Sequence, residues 1–133
     1  MEPVRTDLAP RPAGHYEQAW VHEGLVYVSG QLPIDPDVGP PPDESAVRNV
    51  PVEEQTERAL RNIEAILSAC GTRLDRVIKT TVYVSDISLW PRVNAAYGRV
   101  FGDHRPARAI VPTRKLHFGY LVEIEAIAAV QPG

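Results

Sequence analysis

Apolar and polar positions alternate along some stretches of this chain and recur at helical spacing along others. Residues 18–22 and 25–29 (LVYVS) are two short apolar runs, the second β-branched and aromatic, separated by Glu23-Gly24. A tight turn between two such runs predicts a β-hairpin. Val52, Ala59, Leu60, Ile63, Ile66, Leu67 and Cys70 form one stripe that predicts a helix over 52–70. Pro51 suits its first position and Gly71 its end. Glu54 with Arg58, and Glu57 with Arg61, are favourable pairs on its outer face. Residues 77–84 (VIKTTVYV) alternate and are β-branched, which predicts a strand. Ser88 can cap a second helix over 89–101, with Pro91 in its first turn and Gly102 closing it. Residues 108–111 and 121–130 (LVEIEAIAAV) predict two more strands.

The segments between these elements are irregular. Residues 1–14 are rich in proline and polar groups and predict a loose N-terminal arm. Pro33, Pro36, Pro40, Pro41, Pro42 and Pro51 rule out a sheet ladder over 33–51, because proline lacks the donor a ladder needs. The order ββαβαββ predicts an α+β fold: one mixed sheet, with two amphipathic helices on one face. All 133 residues fit a single domain. The second sheet face then needs a cover. In a chain this small another copy supplies it most simply, so an oligomer is expected.

Composition narrows the function classes. The chain is 44% hydrophobic and 23% charged, ordinary for a globular protein. Net charge is −3, and the basic residues are scattered, so no basic stripe of the kind that tracks phosphates is present. A single cysteine, Cys70, allows no intrachain disulfide and suits a reducing compartment. The apolar runs are strand-sized, too short to span a membrane. The expected setting is the cytoplasm, without nucleic-acid or membrane partners. His15, His22, His104 and His117 show no metal-ligand spacing with each other or with Cys70, which reads as core. No phosphate-binding loop, dinucleotide fingerprint or nucleophile elbow is visible. Neither a metal nor an organic cofactor is expected.

Four places put polar groups where the pattern wants apolar ones. Asn94 lies on the inward stripe of the second helix with Trp90, Val93, Tyr97 and Phe101. It either ties down a neighbouring backbone or lines a cleft. Arg108 shares a strand face with Ile110; it is either solvent-exposed or a two-pronged clamp for a carboxylate. Glu123 and Glu125 point to one sheet face beside Leu121 and Ile127. They mark an exposed edge, or a partly buried carboxylate able to do acid–base work. Ser29-Gly30-Gln31 ends the second strand and reads as a turn unless other residues join it.

These residues lie within the segments GHYEQA (14–19), VYVSGQLPID (26–35), QTERALRNIEAIL (55–67), VIKTTVYVSD (77–86), VNAAYGRVF (93–101), RPARAIV (105–111) and LVEIEAIA (121–128). As an ordered set the chain resembles the reactive intermediate deaminase family, known as Rid or YjgF, from about residue 14 to residue 130. The resemblance implies a fold like that of the small trimeric chorismate mutases. Three sheets would form an inner barrel with helices outside and clefts between neighbouring subunits. It implies cofactor-independent hydrolysis of 2-imino or enamine acids, of the 2-aminoacrylate type, to keto acids and ammonia. The family's cleft tyrosine falls on Tyr16, its SGQ serine on Ser29, its helix asparagine on Asn94, its carboxylate-anchoring arginine on Arg108 and its glutamate on Glu123. Arg108 and Glu123 are the expected catalytic pair. Ile110 stands where the best-known deaminases carry a cysteine, and its backbone groups are expected at the iminium. The stretch PTRKLHFGYL (112–121) also departs from that branch. His117, Phe118 and Tyr120 are expected at the mouth of the site, where they would admit a larger or aromatic substrate. The competing readings are a non-catalytic trimer that binds small carboxylates, and a dedicated catabolic deaminase of the aminomuconate type.

Overall fold

The computed structural model describes residues 1–130. Its elements are β1 (Glu2–Val4), β2 (Ala19–His22), β3 (Leu25–Gln31), α1 (Val52–Ala69), β4 (Val77–Val84), α2 (Trp90–Phe101), β5 (Ala107–Pro112) and β6 (Val122–Ala129). Six strands form one sheet in the order β1-β2-β3-β6-β4-β5. Every pairing is antiparallel except β4 with β5, which α2 connects as a parallel crossover. The β2–β3 hairpin turns at Glu23 and Gly24, both with positive φ (50° and 79°), as a two-residue turn between twisted strands requires.

Alternation assigns the two sheet faces. Val26, Val28, Val82, Val84, Val122, Ile124, Ala126 and Ala128 are buried beneath the helices. From α1, Leu60, Ile63, Ile66 and Leu67 meet them, and from α2, Val93, Tyr97 and Phe101. Truncating one of the large aliphatics here, for instance Ile124→Ala, costs about 2–5 kcal/mol. The other face carries Trp20, Tyr27, Lys79, Thr81, Tyr83, Glu123, Glu125 and Ile127, and no helix among the described residues packs over it. Trp20 and Tyr27 remain 38% and 45% exposed there, which is costly for side chains of that size. The α+β class, mixed sheet and two helices on one face are as the pattern predicts.

Two expectations change. The arm over residues 1–14 is not loose throughout: β1 pairs with β2, and Val4 and Ala9 are buried. The buried Gln18 pins residues 6–10 behind β1, accepting from Thr6 N (2.7 Å) and donating to Thr6 O and Pro10 O (3.0 Å each). The second helix begins at Trp90, after a 3-10 turn over Ile87–Leu89. Ser88 is not its cap; Asp86 caps that turn by accepting from Ser88 N at 2.8 Å. The proline-rich loop is irregular, as expected, and buried amides of α1 hold it. Asn62 donates to Leu32 O and Ile34 O, and Gln55 donates to Val50 O while accepting from Leu121 N. No helix among the described residues is long and apolar enough to cross a membrane.

Candidate functional site

The chain carries two clusters of candidate residues, one on each face of the sheet. The first is at the β5 edge. Parallel register pairs Thr80 with Arg108 and Val82 with Ile110, which puts Arg108 and Ile110 on the helix face. The Arg108 guanidinium lies 4.8 Å from the Tyr97 ring centroid and 5.6 Å from that of Trp90. Such stacking contributes about 0.5–2 kcal/mol and leaves the in-plane N–H groups free to donate. Tyr97 is held by a 2.7 Å hydrogen bond between its hydroxyl and that of Thr80. Arg5, Arg11, Arg61, Arg73 and Arg92 each have a carboxylate partner; the half-buried Arg108 is one of several described arginines without one, and it is the one stacked on two aromatic rings. Asn94, half-buried, lies one helical turn from Trp90 on the same stripe. Ile110 packs against the core.

The second cluster is on the uncovered face. Alternation along β6 places Glu123 and Glu125 there, and the antiparallel register sets Tyr83 of β4 opposite Glu123. Tyr83 donates to Glu125 Oε1 at 2.9 Å. Across β6, the β3 register slips between Val28 and Gln31, a bulge at Ser29 and Gly30. The bulge opens the sheet into a cavity of about 470 Å³, lined by Tyr16, Ser29, Gly30, Tyr83, Glu123 and Glu125, with His117 and Phe118 on one side. A Cβ at position 30 would lie 3.2 Å from Glu123 Cδ, so glycine is what lets the carboxylate sit against the strand. Ser29 spends its hydroxyl on Glu17 O (2.6 Å), and Tyr16 accepts from Ala13 N (3.2 Å). His117 and Phe118 stack with centroids 3.7 Å apart, and Phe118 has a positive φ of 63°.

The environment perturbs Glu123. Burial pushes its carboxyl above the usual carboxylate range, repulsion from Glu125 adds to this, and His117 opposes it. The hydrogen bond to Glu125 pushes the Tyr83 phenol up. A half-buried acid with a raised proton affinity, in a cavity with room for water, is equipped to accept and return a proton. Among the described residues no group of three or more His, Cys, Asp or Glu could hold a metal ion.

The structure thus brings Tyr16, Ser29, Glu123, His117 and Phe118 together, and separately groups Asn94, Arg108 and Ile110. It does not bring Arg108 and Glu123 into one cleft of one chain. Tyr120 is not at the mouth: it is buried with Ile34 and Val47, because the chain turns away through the strained Phe118 and Gly119. A further hollow of about 440 Å³ lies between the proline-rich loop and α1; of the expected site residues it contains Tyr120 alone. Sequence reasoning passed over Tyr83 and the anchoring role of Gln18, and read Gly30 only as part of a turn. The alternation of VIKTTVYV carried a signal for Tyr83, since it puts Lys79, Thr81 and Tyr83 on a face opposite the apolar one.

Comparison with known proteins adds to this geometry. The family profile described as Endoribonuclease L-PSP matches residues 6–130. A RutC family protein of Pyrococcus abyssi is 39% identical over 127 residues, covering 96% of this chain and 95% of its own. A Thermotoga maritima structure labelled an endoribonuclease superposes with a TM-score of 0.88 at 44% identity, covering 100% of this chain and 99% of that one. Escherichia coli TdcF, solved with bound serine, has a TM-score of 0.88 at 30% identity, covering 98% and 100%.

Proposed function

Because the chain belongs to the Endoribonuclease L-PSP family, the RutC or YjgF proteins, we propose that it is a cofactor-independent deaminase of 2-imino and enamine acids, working as a homotrimer. One observation carries this reading: Arg108 and Glu123 stand on opposite faces of one sheet, and we take each as half of a site. The uncovered face with Trp20, Tyr27 and Ile127 is the surface three copies would bury, making an inner barrel. Around such a ring the β5 edge of one copy meets the carboxylate cavity of the next.

In that cleft Arg108 grips the substrate carboxylate with two parallel N–H donors. This fixes the C=N carbon, and positioning alone supplies several kcal/mol. Glu123 takes a proton from water as the oxygen adds to that carbon. It returns that proton to nitrogen, and as ammonia leaves it accepts the carbinolamine hydroxyl proton, so that the C=O of the keto acid forms and the proton passes on to ammonia or water. Asn94, Tyr16 and Ser29 shape the pocket, and the backbone at Ile110 faces the iminium. The aromatic pair His117 and Phe118 gives the mouth an apolar wall, which suits substrates larger than 2-aminoacrylate, including aminomuconate-type enamines. That the TdcF structure holds a serine favours a second reading, a trimer that binds small carboxylates without turnover.

The test generates 2-aminoacrylate in situ with a serine dehydratase and follows its loss. Wild type should accelerate the loss; Arg108→Ala and Glu123→Gln should not. Trimers mixed from equal amounts of the two variants should regain about a quarter of wild-type activity, because one interface in four receives both intact residues. Acceleration by Arg108→Ala, or no recovery in the mixture, defeats the two-copy site. Binding of serine without any acceleration by wild type selects the second reading.

A further inference from the structure

We propose that Tyr83 is a positioning residue of this cleft, its hydroxyl holding Glu125 as the charged neighbour against which Glu123 exchanges its proton. This rests on the deaminase reading for its purpose, though not for its geometry. Tyr83 is the cross-strand partner of Glu123, yet its hydroxyl reaches past it to Glu125 Oε1 at 2.9 Å. The two carboxylates are two residues apart on one face, and both line the cavity. Two like charges in that arrangement repel, and a free Glu125 would swing toward water. The phenol prevents this by donating to one oxygen of Glu125. Tyr83 is half-buried between strands that are themselves fully paired, so the hydroxyl is a fixed point. The repulsion is then sustained at Glu123, where it acts with burial to raise proton affinity.

The remaining groups facing the pair give no competing tether. His117 lies on the Glu123 side and opposes the repulsion. Arg11 and Tyr16 line the same cavity; Arg11 lies 3.9 Å from Asp7, and Tyr16 bonds Ala13 N. Lys79 is opposite Ile127, two pairs beyond Thr81 and Glu125 on the same face, and makes no ion pair with Glu125. On the reverse side of β6, Val122, Ile124 and Ala126 meet a core whose titratable side chains, Tyr97 and Cys70, are separated from the pair by the sheet.

The experiment follows the Glu123 carboxyl by ¹³C NMR titration in the ligand-free protein, and the pH profile of kcat/KM in the imine assay. It compares wild type, Tyr83→Phe, Glu125→Gln and the double variant. Tyr83→Phe should lower the Glu123 midpoint and the acid limb by at least about half a pH unit, a threefold change in proton affinity. Glu125→Gln should lower them further, and Tyr83→Phe should add nothing in that background. An unmoved midpoint in Tyr83→Phe, or an equal shift with Glu125→Gln already present, overturns the positioning role. If Tyr83→Phe fails to fold, an unmoved midpoint in Glu125→Gln overturns it instead. A shifted NMR midpoint in a protein without turnover sustains the role of Tyr83 and sinks the deaminase reading alone.

Discussion

Gly30→Ala isolates the placement of Glu123 from its chemistry. The added Cβ would lie 3.2 Å from Glu123 Cδ and 3.4 Å from both Cγ and Oε1. Carbon–carbon contacts are optimal at about 3.5–4.0 Å, so the carboxylate must retreat by a few tenths of an ångström. Position 30 does not have a positive φ, so alanine adds no backbone strain there. Fewer unfolded conformations even favour the variant by about 0.4–1 kcal/mol, against a contact penalty of similar size. Stability should therefore stay within about 1 kcal/mol of wild type, a shift of about 4 °C in Tm for a domain of this length. Activity should respond more, because an error of about 1 Å in a reacting group can cost about a hundredfold. A displacement of a few tenths then predicts a loss of roughly three- to tenfold in kcat, with KM little changed. The assay is steady-state imine hydrolysis beside thermal unfolding of the same preparations. Full activity in a folded Gly30→Ala would refute the claim that Glu123 works from this position. A Tm drop well beyond 4 °C would show instead that the bulge itself had been broken.

Three other outcomes rest on the same geometry. Arg108→Ala should lose about 10²–10⁴-fold in kcat/KM, the worth of two charge-assisted hydrogen bonds, while its Tm falls only by the lost stacking on Tyr97 and Trp90, about 2–8 °C for about 0.5–2 kcal/mol. Arg108→Lys, with a point charge and no fork, should recover only part of it. Glu123 binds its proton more tightly folded than unfolded, so its stabilising contribution is complete below the unfolded pKa and is lost as pH rises through the folded one. Glu123→Gln should therefore be the more stable protein at pH 7–8 and lose that advantage near pH 4; chemical denaturation at both values checks the sign. Gln18→Ala removes three good hydrogen bonds to the N-terminal segment and should cost about 2–4 kcal/mol in urea unfolding.

Periodicity made most of this fold legible. The stripe from Val52 to Leu67 and the alternation of VIKTTVYV and LVEIEAIAAV each correspond to an observed element. The misses were tertiary. Glu2–Val4 is too short and too proline-containing to read as a strand; it is one because β2 offers an edge and Gln18 fastens the turn behind it. Tyr120 lies close enough to His117 and Phe118 in the chain to be taken with them, but the positive φ at Phe118 and Gly119 sends it into the small core beneath the proline-rich loop. In the site, alternation put Glu123 and Glu125 on one face of β6, and Arg108 and Ile110 on one face of β5. It could not say that these are opposite faces of the sheet. Period two relates residues within a strand, whereas relating two strands needs their register, and that depends on β4 lying between them.

That separation has a chemical consequence. Had Arg108 and Glu123 faced the same way on neighbouring strands, each would have satisfied the other. The guanidinium beside Glu123 would have pulled its proton affinity down, and the carboxylate would have occupied the fork meant for a substrate. With the sheet between them, Arg108 keeps its in-plane donors while its guanidinium rests against the Tyr97 and Trp90 rings. Glu123 meanwhile stays among burial and a like charge, the two conditions that hold its proton. In the proposed trimer the two groups meet only across an interface, with a substrate carboxylate able to come between them. The apolar side chains on the uncovered face supply the association that closes that gap. The same alternation that buries Val122, Ile124 and Ala126 under the helices leaves both the carboxylates and that adhesive surface on the other side. On the proposed reading, assembly and catalysis would both depend on the phase of β6, so a substitution that reverses it would lose both together.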